Sequence, residues 1–279
     1  MPPRRQRLDA ELVRRGLARS REHAGELIAA GRVKVSGARA TKAATGVTTD
    51  VAIVVSEDPD RPDYVSRGGH KLAGALAVLG PLGLEVRGRR CLDAGASTGG
   101  FTDVLLRAGA AEVVAVDVGY GQLAWSLRSD ERVRVLDRTN IRELTLDLVD
   151  GPVDVVVGDL SFISLELVLD ALIGVAREDA DLVLMVKPQF EVGKDRVGKG
   201  GVVRDLTLRA EAVTGVATAA GRRGWGARGV TTSPLPGPSG NVEYFLWLRH
   251  GAATVGEDEI VAEVRRTARL GVPGEKVVP

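Results

Sequence analysis

Cysteine is nearly absent from this 279-residue chain, with Cys91 the single one. An intramolecular disulfide is thereby excluded, which fits a reducing cytosol. Cys91 opens an apolar run, so a packed small hydrophobe is expected there and not a nucleophile. Histidine is scarce too: His23, His70 and His250 are scattered, with no cysteine or carboxylate cluster beside them. A zinc site lacks ligands, and no metal is expected. No run approaches the roughly 18 apolar residues that span a bilayer. The N-terminus, Met-Pro-Pro-Arg-Arg-Gln-Arg, has no apolar segment behind it. Secretion and membrane insertion are disfavoured, and a cytoplasmic protein is expected.

Lysine is the remaining scarcity. Only seven of the 38 Lys and Arg residues are lysine, so a position that does carry lysine is worth noting. The net charge of +1 hides an asymmetry: residues 1 to 50 hold eleven Lys/Arg and five Asp/Glu, a net of +6, and the remainder is acidic. A basic head suits phosphate contacts, or equally a solvated face. At this length a main domain plus a small one is the natural division.

The most informative motif is Cys91-Leu-Asp-Ala-Gly-Ala-Ser-Thr-Gly-Gly-Phe101, followed by Val113-Val-Ala-Val-Asp117. It reads as strand, glycine-rich turn, helix, and a second strand ending in a carboxylate that suits a ribose diol. Gly95, Gly99 and Gly100 are expected to let backbone approach a ligand. The spacing departs from the dinucleotide fingerprint, and Asp93 would repel a pyrophosphate but favour a cation. S-adenosylmethionine (SAM) is therefore expected over NAD. A glycine turn with no cofactor is the plain alternative.

In the head, Asp9 is expected to cap a short helix ended by Gly16, and Ser20 a second helix with Ala24, Leu27 and Ile28 inward and Gly31 beyond its end. Val33 and Val35 then alternate with Arg32 and Lys34, and Val51 to Val55 supplies another strand. The order helix, helix, strand, with Arg-Leu-Asp, Gly-Leu-Ala-x-Ser-Arg and Gly-x-Val-x-Val-x-Gly, resembles the S4 RNA-binding domain over about residues 7 to 56. The resemblance implies basic side chains laid on structured RNA, with Arg7, Arg21, Lys34 and Lys42 as contacts and Arg4 and Arg5 as an arm.

Residues 57–63 are acidic and twice broken by proline, which predicts a linker. A second domain is expected from Tyr64 to about residue 250, with a partly helical segment at 251–279. Its strands read at Arg90–Asp93, Val113–Asp117, Val133–Leu136, Val153–Asp159, Leu182–Lys187, Gly229–Thr232 and Glu243–Leu248. Helices read at Thr102–Arg107 and Leu165–Ala176 among others. Near-continuous apolar strands alternating with helices predict an α/β fold with a mainly parallel sheet covered on both faces.

Lys71, Asp159, Lys187 and Glu243 stand where apolar elements meet turns, where open α/β sheets place ligands. A desolvated lysine can serve as a base, whereas arginine cannot deprotonate. Each residue alone reads as a capped turn or a surface ion pair. Together, behind the glycine loop, they point to a site.

Across Ser-Arg-Gly-Gly-His-Lys71, the glycine loop, Asp117-Val-Gly-Tyr-Gly-Gln-Leu-Ala-Trp, Asp159-Leu-Ser-Phe-Ile-Ser, Val-Lys187-Pro-Gln-Phe-Glu-Val-Gly-Lys and Pro-Leu-Pro-Gly-Pro-Ser-Gly-Asn-Val-Glu243-Tyr-Phe, the chain resembles the TlyA family. These are ribosomal RNA 2'-O-methyltransferases that also bear the name haemolysin A. The match runs nearly end to end. It implies an S4 domain joined to an FtsJ-like, Rossmann-like class I SAM methyltransferase domain, acting on cytidine ribose in the 16S and 23S rRNA of the 30S and 50S subunits. The family's Lys-Asp-Lys-Glu tetrad maps onto Lys71, Asp159, Lys187 and Glu243, with Lys187 as base. Asp117 is expected on the cofactor ribose and Asn140 near the adenine. Asp93, Gly95, Ala96, Ser97, Thr98, Gly99, Gly100 and Phe101 should surround the methionine part, with Asp159 beside them. Arg67 and Lys194 are expected RNA contacts; Phe162 either stacks on a base or packs in the core. The rival classes are a pore-forming cytolysin, a non-catalytic ribosome factor and a small-molecule methyltransferase.

Overall fold

The structure, a computed structural model, describes residues 5–56 and 62–270, with side chains as far as residue 266. Arg4, most of the expected linker and the end of the expected C-terminal segment lie outside the described residues. The chain divides between Asp63 and Tyr64 into two units.

In the first unit, β1 (Gln6–Arg7) runs into α1 (Leu8–Arg14), followed by α2 (Arg21–Ala29), β2 (Val33–Val35), β3 (Ala38–Arg39), β4 (Gly46–Val47) and β5 (Ile53–Val55). β1 pairs with β4, and a second small sheet has the order β3-β2-β5. Ser20 caps α2 by accepting from the His23 N–H at 3.1 Å. Gly16 and Gly31, at φ +71° and +73°, lie just past the helix ends in the left-handed region that glycine enters without cost. Asp9 is not the cap of α1. The helix starts one residue earlier, at Leu8, and the buried Asp9 carboxylate is held by Arg7 at 2.8 Å and Arg21 at 3.1 Å. Those two guanidiniums keep its pKa far below the usual carboxylate range. Leu8, Leu12, Leu27, Ile28, Val33 and Val47 form the core of this unit.

In the second unit the order is α3 (Gly68–Leu79), β6 (Arg90–Ala94), α4 (Gly100–Arg107), β7 (Glu112–Val116), α5 (Trp125–Arg128), β8 (Val133–Leu136), α6 (Leu146–Val149), β9 (Val153–Gly158), α7 (Leu169–Gly174), β10 (Ala176–Val186), α8 (Pro188–Glu191), α9 (Leu206–Gly221), β11 (Trp225–Thr232), β12 (Tyr244–His250) and α10 (Glu257–Leu270). The sheet order is β11-β12-β10-β9-β6-β7-β8. β12 runs antiparallel to both of its neighbours, while β10, β9, β6, β7 and β8 are parallel.

The alternation of side chains along each strand divides the core. Leu92, Val156, Leu182, Leu184 and Leu246 belong to the core shared with α7, α9 and α10. Cys91, Val155, Val157, Val183, Met185 and Phe245 belong to the core shared with α3 and α4. This is why the strands read as unbroken apolar runs: both faces are covered. Cys91 is fully buried, and burial pushes its thiol up to about 12, so it packs and does not react.

Candidate functional site

The carboxyl ends of the parallel strands form the edge at which the expected site residues gather. Lys187 directly follows β10, Asp159 directly follows β9, and Glu243 directly precedes β12. Because β12 is antiparallel and Tyr244 pairs with Val186, the start of β12 lies beside the end of β10. Lys71 enters from α3 and occupies its first turn, not an open turn between elements as the sequence suggested.

These four residues form two ion pairs. Lys71 Nζ lies 2.5 Å from Glu243 Oε2, and Lys187 Nζ lies 2.6 Å from Asp159 Oδ1. Lys71, Lys187 and Glu243 are 5, 7 and 1 % exposed, so three charges have been taken out of water, which is costly unless each is paired. Lys187 also donates to Ser161 Oγ at 2.9 Å. Gly237 lies against the Glu243 carboxylate so closely that a Cβ there would fall 2.5 Å from Oε1.

The glycine loop has the expected place, between β6 and α4. Gly95 and Ala96 donate backbone N–H to Val116 O, and Gly95 sits at φ +85° with room for a Cβ only at 3.0 Å from Asp159 O. Gly99 and Gly100 are also held to glycine by their neighbours. A Cβ at Gly99 would strike Leu127 at 2.3 Å, and one at Gly100 would strike Ser66 Oγ at 2.3 Å and Gly69 N at 2.7 Å. Packing inside the protein thus already requires their small size. Phe101 is likewise a core residue, 5.9 Å from the Phe245 ring, and Ala96 is buried with it. Ser97 and Thr98 form the exposed tip.

Asp93 is fully buried. Its Oδ2 accepts from Thr102 Oγ1 at 2.7 Å, and its Oδ1 has no hydrogen-bond partner in the protein. Burial pushes the carboxyl up to about 7. Asp117 follows β7 and accepts backbone N–H from Ser97 and Gly119, both at 2.7 Å, so it braces the glycine loop against its own. Asn140 is exposed and caps the short 3-10 turn Ile141–Glu143, accepting from Arg142 N at 3.1 Å.

The loop after Asp159 carries Phe162, which is 91 % exposed at φ +64° with its ring 5.2 Å from Phe190. The core alternative for Phe162 is therefore excluded. Arg67, just before α3, and Lys194 are exposed. Sequence reasoning missed Ser161 and Thr102, the partners of Lys187 and Asp93. Their signal was a hydroxyl two residues after Asp159 and another on the first turn of α4.

In the first unit Lys34 and Lys42 are exposed, while Arg7 and Arg21 share Asp9 and keep about half of their side-chain surface open. Among the described residues no group of His, Cys, Asp and Glu could hold a metal ion, and no helix is long and apolar enough to cross a membrane.

Residues 64–250 match the FtsJ-like methyltransferase model and residues 6–53 the S4 domain model. The 16S/23S rRNA (cytidine-2'-O)-methyltransferase TlyA of Mycobacterium tuberculosis is 64% identical over 246 residues, 88% of this chain and 90% of that protein. The chain belongs to the TlyA family. Hemolysin A of Brachyspira hyodysenteriae is 36% identical over 86% of this chain and 98% of its own length. A solved structure described as "Putative hemolysin from Streptococcus thermophilus" superposes with a TM-score of 0.70 at 35% identity, covering 95% of this chain and 98% of that one. Family membership accounts for the class I methyltransferase sheet with a small S4 domain before it.

Proposed function

We propose that this protein transfers the methyl group of SAM to the ribose 2'-hydroxyl of cytidine in 16S and 23S ribosomal RNA, the reaction named for its M. tuberculosis relative. The observation that carries the reading for this chain is the pair of buried lysine-carboxylate contacts, Lys71–Glu243 and Lys187–Asp159, at the sheet edge beside the glycine loop. A small-molecule methyltransferase would not need the basic S4 unit, and a non-catalytic ribosome factor would not need two desolvated lysines.

The residues present fit SAM. Asp93 offers a buried carboxyl oxygen without a partner, and a cationic ligand suits it. Asp117 spends one bond on each of two backbone N–H groups, which leaves acceptor capacity for a ribose diol. Gly95 to Gly100 and Phe101 would shape the wall around the methionine part, and Asn140 would meet the adenine. SAM supplies an activated methyl group with its own leaving group. The protein has to remove the 2'-hydroxyl proton and align the oxygen. Lys187 Nζ must first release a proton to solvent; as the neutral amine it takes the hydroxyl proton, and Asp159 and Ser161 hold the ammonium so formed. Lys71, fixed by Glu243, places a second positive charge where negative charge develops on the oxygen. Phe162 supplies an exposed ring on which a base can stack, with Arg67 and Lys194 on phosphates. Residues 1–56 would dock the RNA, 57–63 would link, and 64–250 would catalyse; with ribosomal subunits as substrate the protein works in the cytoplasm.

Labelled SAM incubated with unmodified 30S and 50S subunits tests this. Label on a ribose 2'-oxygen of cytidine in each rRNA is expected. A protein that binds SAM and both subunits yet transfers no label would sink the reading, and lysis of red cells by the purified protein would favour the haemolysin name instead.

A further inference from the structure

Two neighbouring segments carry the proposed base and its surroundings: the loop 160–165 after β9, and Lys187 with α8 after β10. They touch at three successive points. At the strand ends, Lys187 Nζ reaches Asp159 and Ser161 Oγ. One step further the Phe162 and Phe190 rings meet. Beyond them Glu191 closes the contact: its Oε2 accepts from Ser164 Oγ at 2.6 Å and its Oε1 from Leu165 N–H at 2.9 Å. Ser164 Oγ in turn accepts from Glu166 N at 3.3 Å, which turns its proton towards Glu191.

We infer that Glu191 is a positioning residue for the methyl transfer, acting as the outer clasp that holds the loop 160–165 against α8 so that Ser161 and Phe162 keep their places at Lys187. This rests on the proposed reaction. The clasp is needed because neither segment is stable by itself. α8 has four residues, too few to persist without tertiary support, and Phe162 has a left-handed backbone that a non-glycine residue keeps only where its neighbours fix it. Of the three contacts, the aromatic one is open to water and the Lys187 one changes as Nζ loses and gains its proton in each cycle. Only the Glu191 contact is independent of catalysis. Burial raises the Glu191 carboxyl above its usual range, so the residue occupies its place at a cost that an exposed surface acid would not bear. Loss of the clasp therefore loosens the surroundings of Lys187 without removing any group that reacts.

The test measures multiple-turnover methylation of unmodified subunits by the full-length protein and its variants, with active sites counted by SAM binding. Turnover by the wild type comes first; its absence defeats the proposed reaction and not this inference. Given turnover, Glu191→Ala should lower kcat per SAM site by about tenfold or more while the Kd for SAM stays within about twofold, since displacement by an ångström is enough to cost that much. Glu191→Gln, whose amide can still accept from Leu165 N–H, should recover most of the loss. A Glu191→Ala kcat equal to wild type, a loss fully explained by fewer SAM sites, or a glutamine variant no better than alanine would each overturn the inference. Should the alanine variant fail to fold, Ser164→Ala removes one bond of the clasp; a several-fold fall in kcat is expected, and an unchanged kcat overturns the idea.

Discussion

A side chain that is to take a proton from a ribose hydroxyl must stand out of bulk water and keep a fixed direction. Lys187 does both: it is 7 % exposed and tied to Asp159 at 2.6 Å and Ser161 at 2.9 Å. Lys187→Ala should lower kcat by about 100-fold or more, the usual worth of a positioned base, with the Kd for SAM within twofold of wild type. Lys187→Arg should fail as badly, because a guanidinium does not give up its proton. Wild-type rates in either variant would move the base elsewhere. Asp93 yields a prediction of another kind. Its pKa in the folded protein, about 7, lies above the roughly 3.9 of an unfolded aspartate. Between those values the unfolded chain has released a proton that the folded one retains, so this stabilising contribution is complete below about pH 4 and is lost as pH rises through about 7. Thermal melts from pH 5 to 8 without SAM should show stability falling more steeply in the wild type than in Asp93→Asn. Parallel curves would mean that the carboxyl is not held protonated.

At the scale of elements, the strands were the legible part. Val133–Leu136 has the expected bounds, β6, β7 and β9 differ from expectation by one residue at one or both ends, β12 ends two residues past Leu248, and β10 and β11 begin six and four residues earlier than expected. Unbroken apolar runs covered on both faces leave little freedom. α3 was not named as a helix because Gly68, Gly69 and Gly74 depress its propensity. The structure supplies the reason for two of them: a Cβ at Gly69 would meet Tyr64 at 2.4 Å, and one at Gly74 would meet Pro234 at 2.6 Å, so packing overrides propensity. Asp159, Lys187 and Glu243 were legible as candidates because polar residues at the ends of apolar strands have few other uses, and Lys71, on α3, because lysine is scarce in this chain. Ser161, Thr102 and Glu191 were not, since their roles depend on which loops become neighbours, and that follows from strand order. Asp181, buried on β10, shows the contrast between a structural and a functional acid. It holds Arg89 at 2.7 Å, Arg249 at 3.0 Å and the Trp247 indole N–H at 2.7 Å, five residues before the end of the strand. Asp181→Ala leaves two arginines and an indole without their acceptor. It should cost about 3 to 5 kcal/mol in urea unfolding, while kcat of the remaining folded fraction stays at the wild-type value. A drop in kcat per folded molecule would mean that the hub reaches the site.

For the whole molecule the division of labour can be separated by experiment. The core of the first unit, built on Leu8, Leu12, Leu27 and Ile28, shares no residue with the two cores of the second unit. All four tetrad residues and the glycine loop lie beyond Tyr64. Removing residues 1–60 should therefore leave a protein that unfolds cooperatively and binds SAM with wild-type affinity. Its affinity for subunits should collapse, because the net +6 of the first fifty residues goes with the deletion. In the full chain, Lys34→Ala and Lys42→Ala change exposed residues and should weaken subunit binding without loss of stability. Arg7→Ala and Arg21→Ala each also remove one of the two guanidiniums on buried Asp9, so they should lower the melting temperature as well. Each true phosphate contact among these residues contributes roughly one unit or less to the slope of log affinity against log salt, so the slope should fall by that step in the corresponding variant. Full-rate methylation of intact subunits by the truncated protein would show that the basic unit is a solvated face and that recognition resides in the methyltransferase domain.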